Sequence, residues 1–500
     1  MLFTRFLARQ CLGNLRAARP SKLRLIHASA SVSSENQVVI ALGSNQGASV
    51  SIIKSAVNAM EREGIEIQQH SCLYETAPMH VTDQARYLNA AVKGKTTLSP
   101  FSLMKVLQGI QRQHGREEGG QRWGPRPLDL DIIFYGNKEL QTEDLQIPHP
   151  RAFERPFVLA PLDDLLDDVA RPSKTDAGGS SVDGRLSQAR QIWISEFGGE
   201  ALMGTETIKR VVPVAGDLWE VGRRTRMMGI LNVTPDSFSD GGRFNNVETA
   251  VRQAQSMAAD GVDIIDIGGQ STRPGADLLS PEEEVRRVIP VLRALTPIAQ
   301  DTGIALSVDT FYSAVARDAV EAGAHIVNDV SGGTLDKNMF ATVAALKEPV
   351  PYVMMHMRGD PKTMQSRENT TYTDVSTDVG AALQTQAEQA VQQGVMPWQL
   401  WLDPGIGFAK THEQNFELLR NLPTVRSQLR SGCLRHAPLL VGPSRKGFLG
   451  SLTGRSAEDR DVATMAAVGA GIVSGADVVR VHNAKAGRDT ILVADAIWRE

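Results

Sequence analysis

The sequence predicts two domains of different fold class, a compact α+β domain followed by a (β/α)8 TIM barrel. Single strands and helices are mixed in the first third of the chain, and a stretch of linker composition follows. Eight short apolar strands then alternate with helices over roughly 270 residues, close to the span of one barrel. The chain of 500 residues therefore accommodates both domains.

The first domain is predicted from short strands and helices that do not repeat in a regular order. These elements cover 37–43, 50–62, 87–97, 100–114 and 129–135. Such a mixture indicates a compact α+β domain, which we place at 37–166. Residues 167–189 are rich in Gly, Ser and Asp, so we place a linker at 167–205.

The second domain is predicted from eight apolar strands that the chain connects through helices. The strands are Met227–Val233, Asp263–Gly268, Ile304–Val308, His325–Asn328, Tyr352–Met355, Leu400–Leu402, Pro438–Val441 and Val478–Val481. Near-continuous apolar strands that alternate with helices are typical of a parallel sheet buried on both faces. We place a closed barrel at 206–500, and an open doubly wound sheet is the alternative.

The first 34 residues differ from the rest of the chain, because they contain six basic residues and no acid before Glu35. Serines gather near the end of this segment, and arginines interrupt its apolar runs. This composition is typical of an organelle import presequence, which we place at 1–36, with an inconsequential disordered tail as the alternative. Without its six positive charges, the formal net charge would change from −4 to roughly −10.

The bulk composition excludes several classes of protein. An acidic mature chain argues against general nucleic-acid binding. No run approaches the roughly 18 consecutive apolar residues of a membrane span. Three scattered cysteines are too few for a disulfide framework or a zinc site, which fits a reducing compartment. We therefore expect small-molecule partners, and neither nucleic acid nor membrane.

Polar side chains follow almost every predicted strand of the barrel. They are Asn232, Thr272, Arg273, Asp309, Asn328, His356, Asp403, Ser444, Lys446, Arg480 and His482. One polar residue after a strand usually caps a helix or forms a turn, but the eight strand ends of a barrel converge on one mouth. Asn, Asp and Lys suit the edge of a heterocycle, whereas Arg and His suit phosphate oxygens.

Six motifs of the second domain follow one another in a characteristic order. They are Met228-Gly-Ile-Leu-Asn-Val-Thr-Pro-Asp-Ser-Phe-Ser-Asp-Gly-Gly, Ser271-Thr-Arg-Pro-Gly-Ala, Ser307-Val-Asp-Thr, Asn328-Asp-Val-Ser-Gly-Gly, Asp403-Pro-Gly-Ile-Gly-Phe and Ser444-Arg-Lys-Gly-Phe. Together they resemble the dihydropteroate synthase family over about 208–498. The family joins a pterin pyrophosphate to 4-aminobenzoate and releases pyrophosphate, so the resemblance implies that reaction here.

The resemblance to the synthase also implies roles for single residues. The pterin-binding residues would be Asp309, Asn328, Phe408 and the catalytic pair Asp403 and Lys446. The residues around the pyrophosphate and its magnesium would be Thr272, Arg273, Arg480, His482 and the metal ligand Asn232. Ser444 and Arg273 would lie near the carboxylate of 4-aminobenzoate. The family usually has Glu where this chain has Gln270, which removes one negative charge near an anion site.

The most informative stretch of the first domain is Arg122-Trp-Gly-Pro-Arg-Pro-Leu-Asp-Leu-Asp. Because strand side chains alternate faces, Asp129 and Asp131 point the same way. Two such carboxylates suit magnesium with phosphates, and Arg116 and Arg126 flank them. A lone Asp-x-Asp also fits an exposed strand edge, but the preceding residues favour a nucleotide phosphate site. The chain contains no Gly-x-x-x-x-Gly-Lys-Ser/Thr loop, which excludes a P-loop kinase.

Further motifs accompany this stretch, namely Ala41-Leu-Gly-Ser-Asn, Tyr74-Glu-Thr-Ala-Pro, Tyr87-Leu-Asn-Ala-Ala-Val, His114-Gly-Arg and Ile147-Pro-His-Pro. Residues 37–165 thereby resemble the 6-hydroxymethyl-7,8-dihydropterin pyrophosphokinase family, whose fold is ferredoxin-like α+β. The resemblance implies ATP as co-substrate and two Mg²⁺ ions on Asp129 and Asp131. Arg116 and Arg126 would act on the transferred group. Other substrate contacts would come from Thr76, Tyr87, Asn89, Gln108, Trp123, His149 and Arg155.

The two resemblances support one another, because the first reaction makes the substrate of the second. The arrangement, with its import-like N-terminus, resembles the plant-type mitochondrial bifunctional enzymes. We therefore expect the mitochondrial matrix, with a plastid as the alternative, and a homo-oligomer formed through the barrel. Two other hypotheses are a pterin-binding regulator without catalysis and a methyltransferase barrel. The family usually has a carboxylate where this chain has Gln111, so a contact in the ATP site is expected to differ.

Overall fold

A computed structural model describes residues 35–79, 81–117, 123–166, 181–234, 243–430 and 432–499. Residues 35–499 belong to one compact unit. The presequence predicted at 1–36 lies outside the described residues except for its last two, and Asn36 already begins the first strand. The motif that begins at Met228 is likewise described only as far as Thr234.

The N-terminal domain contains one antiparallel sheet and a small ribbon. Its strands are β1 Asn36–Ser44, β2 Ile65–His70, β3 Leu73–Thr76, β4 Tyr87–Thr96, β5 Asp129–Tyr135, β6 Leu140–Gln141, β7 Gln146–Ile147, β8 Ile208–Val214 and β9 Asp217–Glu220. The sheet order is β5-β1-β4-β3-β8-β9, with β2 on β4, while β6 and β7 form the ribbon. Val38, Val39 and Ile40 of β1 are fully buried, so both faces of this central strand are covered.

Four helices cover this sheet, which confirms the predicted α+β class. They are α1 Ser49–Arg62, α2 Pro100–Gln113, α3 Pro156–Asp164 and α4 Val182–Phe197. Helix α2 begins where Ser99 accepts a hydrogen bond from the backbone of Ser102 and Pro100 occupies the first turn. Helix α4 lies within the predicted linker and packs on α3, because its apolar side chains, including Trp193, are buried.

The C-terminal domain is the predicted parallel barrel. Its strands are β10 Arg226–Asn232, β11 Ile264–Gly268, β12 Ala305–Asp309, β13 Ile326–Asp329, β14 Tyr352–Met355, β15 Leu400–Asp403, β16 Leu440–Val441 and β17 Val478–Val481. They pair in parallel in the order β15-β14-β13-β12-β11-β10-β17-β16, and a bridge between Leu402 and Leu439 joins the two ends. The eight strands agree with the prediction to within two residues at each end, and the open sheet is excluded.

Ten helices surround the barrel in the described part of the chain. They are α5 Arg243–Ala259, α6 Pro281–Thr302, α7 Ser313–Glu321, α8 Met339–Ala345, α9 Val375–Gln392, α10 His412–Arg420, α11 Leu422–Ser427, α12 Gly447–Thr453, α13 Asp461–Val473 and α14 Ala484–Trp498. None of the helices in the described ranges has the length and apolar character needed to span a bilayer.

The β8–β9 hairpin connects the two domains. Strand β8 pairs with β3 of the N-terminal sheet, although residues 208–220 fall in the sequence that we place with the barrel. Val212, Val214 and Trp219 also pack against the lowest interior layer of the barrel. That layer takes one side chain from each strand, namely Met228, Ile264, Ala305, Ile326, Val353, Trp401, Leu440 and Val478. The hairpin therefore closes the floor of the barrel and extends the first sheet.

Other contacts between the domains also use the N-terminal end of the barrel. Lys54 of α1 donates to the backbone oxygens of Ala344 and Leu346, at 2.9 and 3.1 Å, before β14 begins. Cys72 lies beside Cys433, before β16. The N-terminal domain thus lies against the floor of the barrel, whereas the strand ends that form the mouth point the opposite way.

Candidate active sites

Two adjoining cavities open in the N-terminal domain at the end of the sheet away from the barrel. The larger has a volume of ≈ 1110 Å³ and is lined by Gln108 and Gln111, among others. The smaller has a volume of ≈ 270 Å³, and its lining includes Thr76, Tyr87, Asn89, Trp123, Asp129, Arg155 and Phe157. Four side chains line both cavities, namely Arg116, Arg126, Asp131 and His149. A group passing from one cavity to the other would therefore meet charged side chains.

Asp131 is part of this shared wall, and Asp129, two residues earlier on β5, lines the smaller cavity. Asp129 is paired with Arg116 and with Arg126, whose Nη1 lies 2.7 Å from its Oδ2. Asp131 keeps 43% of its side-chain surface open to the cleft. The surrounding protein and then the charge of Asp129 raise the pKa of Asp131 to about 7, although Arg116, Arg155 and Arg126 act in the opposite direction. The pair therefore has uncompensated negative charge that a cation would relieve.

Gln111 has a structural role that explains its departure from the usual carboxylate. Its side-chain oxygen accepts hydrogen bonds from the Arg116 guanidinium and from the backbone of Leu130, the latter at 3.2 Å. Gln111 is 5% exposed, so a carboxylate here would add buried charge next to Asp129. Gln111 thus orients Arg116 toward Asp129 without adding charge.

His149 lies at the edge of the carboxylate pair, with its Nε2 4.0 Å from Asp131 Oδ2. Burial, followed by the charges of Arg155 and Arg151, lowers the pKa of His149 to about 4. The imidazole is therefore neutral near pH 7 and can donate one hydrogen bond and accept another.

Asn89 and Thr76 meet at the inner end of the smaller cavity, where the Asn89 amide donates to the Thr76 hydroxyl at 2.7 Å. They are 6% and 3% exposed. Tyr87, which we expect to contact the pterin, donates through its hydroxyl to the backbone oxygen of Gly124 at 2.9 Å. Tyr87 thus also fixes the segment that follows Trp123.

Three residues that sequence reasoning missed hold the Trp123 segment. Gln84 donates to the Trp123 carbonyl at 2.9 Å, and Asn45 bonds both backbone groups of Arg126. The Arg151 guanidinium lies 4.3 Å from the centre of the indole ring, a cation–π contact. Asn45 ends the quoted motif at 41–45, and Arg151 follows Ile147-Pro-His-Pro, so motif position was the available signal. Arg122 lies outside the described residues.

At the barrel mouth, Arg480 lies between two acids. Its Nε is 2.6 Å from Asp266 Oδ2, and its Nη2 is 2.7 Å from Asp309 Oδ2. Asn328 also donates to Asp266 Oδ2, at 3.0 Å. Sequence reasoning missed Asp266. The available signal was an acidic residue inside the apolar strand β11, and the structure buries this residue completely. Burial raises the pKa of Asp309 to about 7, and the charge of Arg480 opposes this rise.

Lys446 and Asp403 come from the two strands that close the barrel, since Asp403 ends β15 and Lys446 follows β16. Burial lowers the pKa of Lys446 to about 8, opposed mainly by Asp403, whose own pKa burial raises. The Lys446 ammonium donates to the backbone oxygen of Ile406 and lies 4.6 Å from the centre of the Phe408 ring. Gly407 has a φ of 83°, and a Cβ there would lie 2.5 Å from Lys446 Cδ. The Asp403-to-Phe408 motif therefore needs this glycine to admit the lysine.

Two histidines of the mouth have different surroundings. The Ser444 hydroxyl and His482 Nδ1 are 2.9 Å apart, and burial next to Arg480 lowers the pKa of His482 to about 3. His356 is buried and lies 3.1 Å from the ammonium of Lys410, which sequence reasoning missed. Burial lowers the pKa of Lys410 to about 7. A lysine two residues after the Asp403-to-Phe408 motif was the available signal.

The structure does not bring every predicted residue into the cluster. Thr272 and exposed Arg273 lie on a loop anchored by Gly275, whose nitrogen donates to the Pro361 oxygen at 2.8 Å. Asn232 lies at the same level as Asp309, with Gly268 between them. In the described ranges, no three His, Cys, Asp or Glu side chains converge as a metal cluster.

The folds and sites together define a class: a two-domain transferase with a phosphate-handling α+β domain and a heterocycle-binding barrel. Residues 39–167 match the 7,8-dihydro-6-hydroxymethylpterin-pyrophosphokinase family, and residues 228–482 match the pterin binding enzyme family. The folate synthesis bifunctional protein of Arabidopsis thaliana is 49% identical over 92% of this chain and 96% of its own. The mitochondrial folate synthesis bifunctional protein of Pisum sativum is 50% identical over 93% and 90%. The chain belongs to this family of bifunctional folate synthesis enzymes.

Solved structures agree with this assignment. A Yersinia pestis dihydropteroate synthase, solved with a sulfonamide drug, is 37% identical with a TM-score of 0.52, covering 57% of this chain and 98% of its own. A Plasmodium falciparum HPPK-DHPS triple mutant with pteroate shares the fold of the whole chain, with a TM-score of 0.72 over 93% of this chain and 95% of its own. Its identity is 21%. The predicted family, fold and both enzyme activities are confirmed, with ATP as co-substrate of the kinase.

Proposed function

We propose that the N-terminal cavities and the barrel mouth catalyse consecutive steps of dihydropteroate synthesis, with the residue roles given below. The first step transfers pyrophosphate from ATP to 6-hydroxymethyl-7,8-dihydropterin. The second joins the product to 4-aminobenzoate. The observation that carries the proposal is the charged wall shared by the two cavities, because it provides a transfer point between a nucleotide and a small heterocycle.

Magnesium suits the shared wall. Asp129 and Asp131 offer only oxygen ligands, as Mg²⁺ prefers, and their mutual repulsion is incompletely offset by the arginines. Mg²⁺ bound there would neutralise phosphate oxygens of ATP. The absence of a third acidic or histidine ligand among the described residues fits an ion that completes its shell with phosphates and water.

The other residues of the cleft position the two substrates. Gln108 and neutral His149 offer hydrogen bonds to the nucleotide in the larger cavity. Arg116 and Arg126 stabilise charge on the transferred group, since each already reaches Asp129 at the transfer point. Thr76, Tyr87, Asn89 and Trp123 surround the pterin in the smaller cavity, and Arg155 lies 5.7 Å above the indole ring.

At the barrel mouth, Asp309, Asn328, Asp403 and Lys446 provide donors and acceptors for the pterin edge, with Phe408 beside it. Arg480 and His482, together with Ser444, Thr272 and Arg273, surround the leaving pyrophosphate and the carboxylate of 4-aminobenzoate. Asn232 would bind magnesium on the pyrophosphate. Stabilisation of the departing charge by these donors accelerates the reaction, and the aniline nitrogen then attacks the pterin methylene carbon.

The described surface supports a homodimer through the barrel. One face of α13 is apolar and exposed, with Val462 at 82% and Val473 at 49%. Leu492, Val493 and Ile497 of adjacent α14 are 52–61% exposed and extend this face. A face with few charges can meet its own copy around a two-fold axis without like-charge repulsion. Light scattering should give the dimer mass for the wild type and the monomer mass for Val493→Asp; a wild-type monomer would contradict this proposal.

The proposed location is the mitochondrial matrix, with a plastid as the alternative. It rests on the basic, acid-free first 34 residues and on the mitochondrial names of relatives such as the Pisum sativum protein. Fusion of residues 1–36 to a fluorescent protein tests this location; a cytosolic signal would contradict it.

A coupled assay tests the whole function. The chain should begin at Glu35, because β1 begins at Asn36. With 6-hydroxymethyl-7,8-dihydropterin, ATP, magnesium and labelled 4-aminobenzoate, we expect labelled dihydropteroate and one AMP per product. AMP release without dihydropteroate would overturn the barrel assignment, and folded protein without either signal would overturn both.

A further inference from the structure

Gln270 stands where the chain leaves β11 and begins the loop that carries Thr272 and Arg273. Its side chain is 7% exposed and points to the first turn of α6. The amide nitrogen donates to Oε2 of Glu284 at 2.7 Å, and Glu284 is completely buried. The amide oxygen accepts from the backbone nitrogen of Leu279 at 3.4 Å. The Gln270 amide therefore donates one hydrogen bond and accepts another at the same time.

These bonds connect the beginning of the loop to its end. The backbone oxygen of Leu279 is bonded as well, because it accepts a hydrogen bond from the Tyr312 hydroxyl at 2.6 Å. On the other side, Arg287 donates to the Gly269 oxygen at 3.1 Å. The residues between these anchors are mostly exposed, so the base of the loop determines where Thr272 and Arg273 lie.

An amide suits this position better than a carboxylate. Glu284 faces Thr310, Asp309 and, from its own helix, Arg287, and burial raises the pKa of Glu284 to about 8. A second carboxylate at 270 would donate to Glu284 only while the pair retained a proton. As the pH rose, both groups would ionise and repel. An amide donates to either protonation state of Glu284.

We propose that Gln270 is a positioning residue of the synthase site, which holds the Thr272–Arg273 loop in place for 4-aminobenzoate by bridging Glu284 and Leu279 over the working pH range. This inference rests on the proposed role of the loop at the barrel mouth. It also gives a reason for the glutamine at a position where the family usually has glutamate.

The test compares variants of the full chain from Glu35, supplied with pterin pyrophosphate. For Gln270→Glu, the KM for 4-aminobenzoate should be near the wild-type value at about pH 6.5 and should rise about tenfold by about pH 9. The value of kcat should change less. The swapped variant Gln270→Glu/Glu284→Gln restores one amide and one carboxylate, so its KM should follow the wild-type pH profile again.

Two controls separate the possible failures. Gln392→Glu adds the same charge at an exposed end of α9 and should leave the KM profile unchanged. Denaturant unfolding reports whether the barrel of each variant is folded. A Gln270→Glu profile equal to that of the wild type, or a swapped variant that keeps the Gln270→Glu profile, would overturn the positioning role alone. A wild-type chain without dihydropteroate formation would instead overturn the proposed function.

Discussion

The kinase cleft and the barrel mouth handle charge in different ways. In the cleft, Asp129 and Asp131 are neighbours on one strand, and 43% of the Asp131 side chain is open. At the mouth, Asp266 is completely buried, and the guanidinium of Arg480 pairs with both Asp266 and Asp309. The carboxylates of the first site come from one contiguous motif, whereas the acids and arginine of the second are separated by as many as 214 residues.

This difference shows which component each site lacks before substrate arrives. The cleft has negative charge that needs a cation and positive charge that needs phosphate. The mouth has already paired its strongest charges, so its substrates meet a preorganised network. Substitutions in the cleft should therefore affect turnover with little effect on folding, whereas substitutions at the mouth should affect both.

The largest expected effect is on the cleft. Asp129→Ala should lower AMP release by about 10⁴-fold, roughly 5 kcal/mol, because it removes the proposed magnesium ligand and the partner of two arginines. Synthase activity on supplied pterin pyrophosphate should be unchanged. Radiolabelled assays of the two steps on one sample measure both values. Loss of both activities in folded protein would contradict two separate sites.

The next effect concerns stability at the mouth. Arg480→Met should lower the free energy of unfolding by about 3–5 kcal/mol, because it leaves Asp266 and Asp309 buried without their cation. Denaturant unfolding measures the change. Arg317→Met, which breaks an exposed pair with Asp318, is the control and should cost about 1 kcal/mol or less. Equal losses of unfolding free energy in Arg480→Met and Arg317→Met would contradict the idea that the paired charges of the mouth contribute to stability.

A smaller effect is expected from Lys446→Met. The substitution keeps most of the side-chain volume but removes the ammonium that we propose to bind the pterin edge, so the synthase kcat/KM should fall about 100-fold, roughly 2.7 kcal/mol. AMP release should remain at the wild-type rate. Steady-state kinetics with each substrate check this, and an unchanged synthase would remove Lys446 from the site.

The smallest effect is a pH dependence confined to the cleft. Because Asp131 has a pKa raised to about 7, it carries a proton below that pH, and magnesium bound at the proposed site would have to displace the proton. The magnesium concentration for half-maximal AMP release should fall about tenfold per pH unit up to about pH 7 and then level. Asp131→Asn should abolish this slope whatever its residual activity. A slope that survives in Asp131→Asn would assign the proton to another group.

Sequence patterns predicted the elements whose signals are local. The eight barrel strands are apolar runs, and the Asp129/Asp131 pair follows from alternation along a single strand. The Asp266–Arg480 pair was not predictable, because its partners are joined only when the barrel closes. Helix α4 was missed because Gly, Ser and Asp dominate the segment in which it begins. Strand β8 was missed because its pairing with β3 is long-range.

The β8–β9 hairpin also bears on how these two enzymes came to share a chain and whether they can be separated again. A gene ending at 166 would encode a kinase with the edge of β3 exposed, a hazard for aggregation. A gene starting at Arg226 would encode a barrel with Trp401 uncovered at its floor. Each fragment would therefore expose a surface that the β8–β9 hairpin covers in the full chain. Gene fission at either point would thus be disfavoured, and the fusion, once made, would tend to persist through descent.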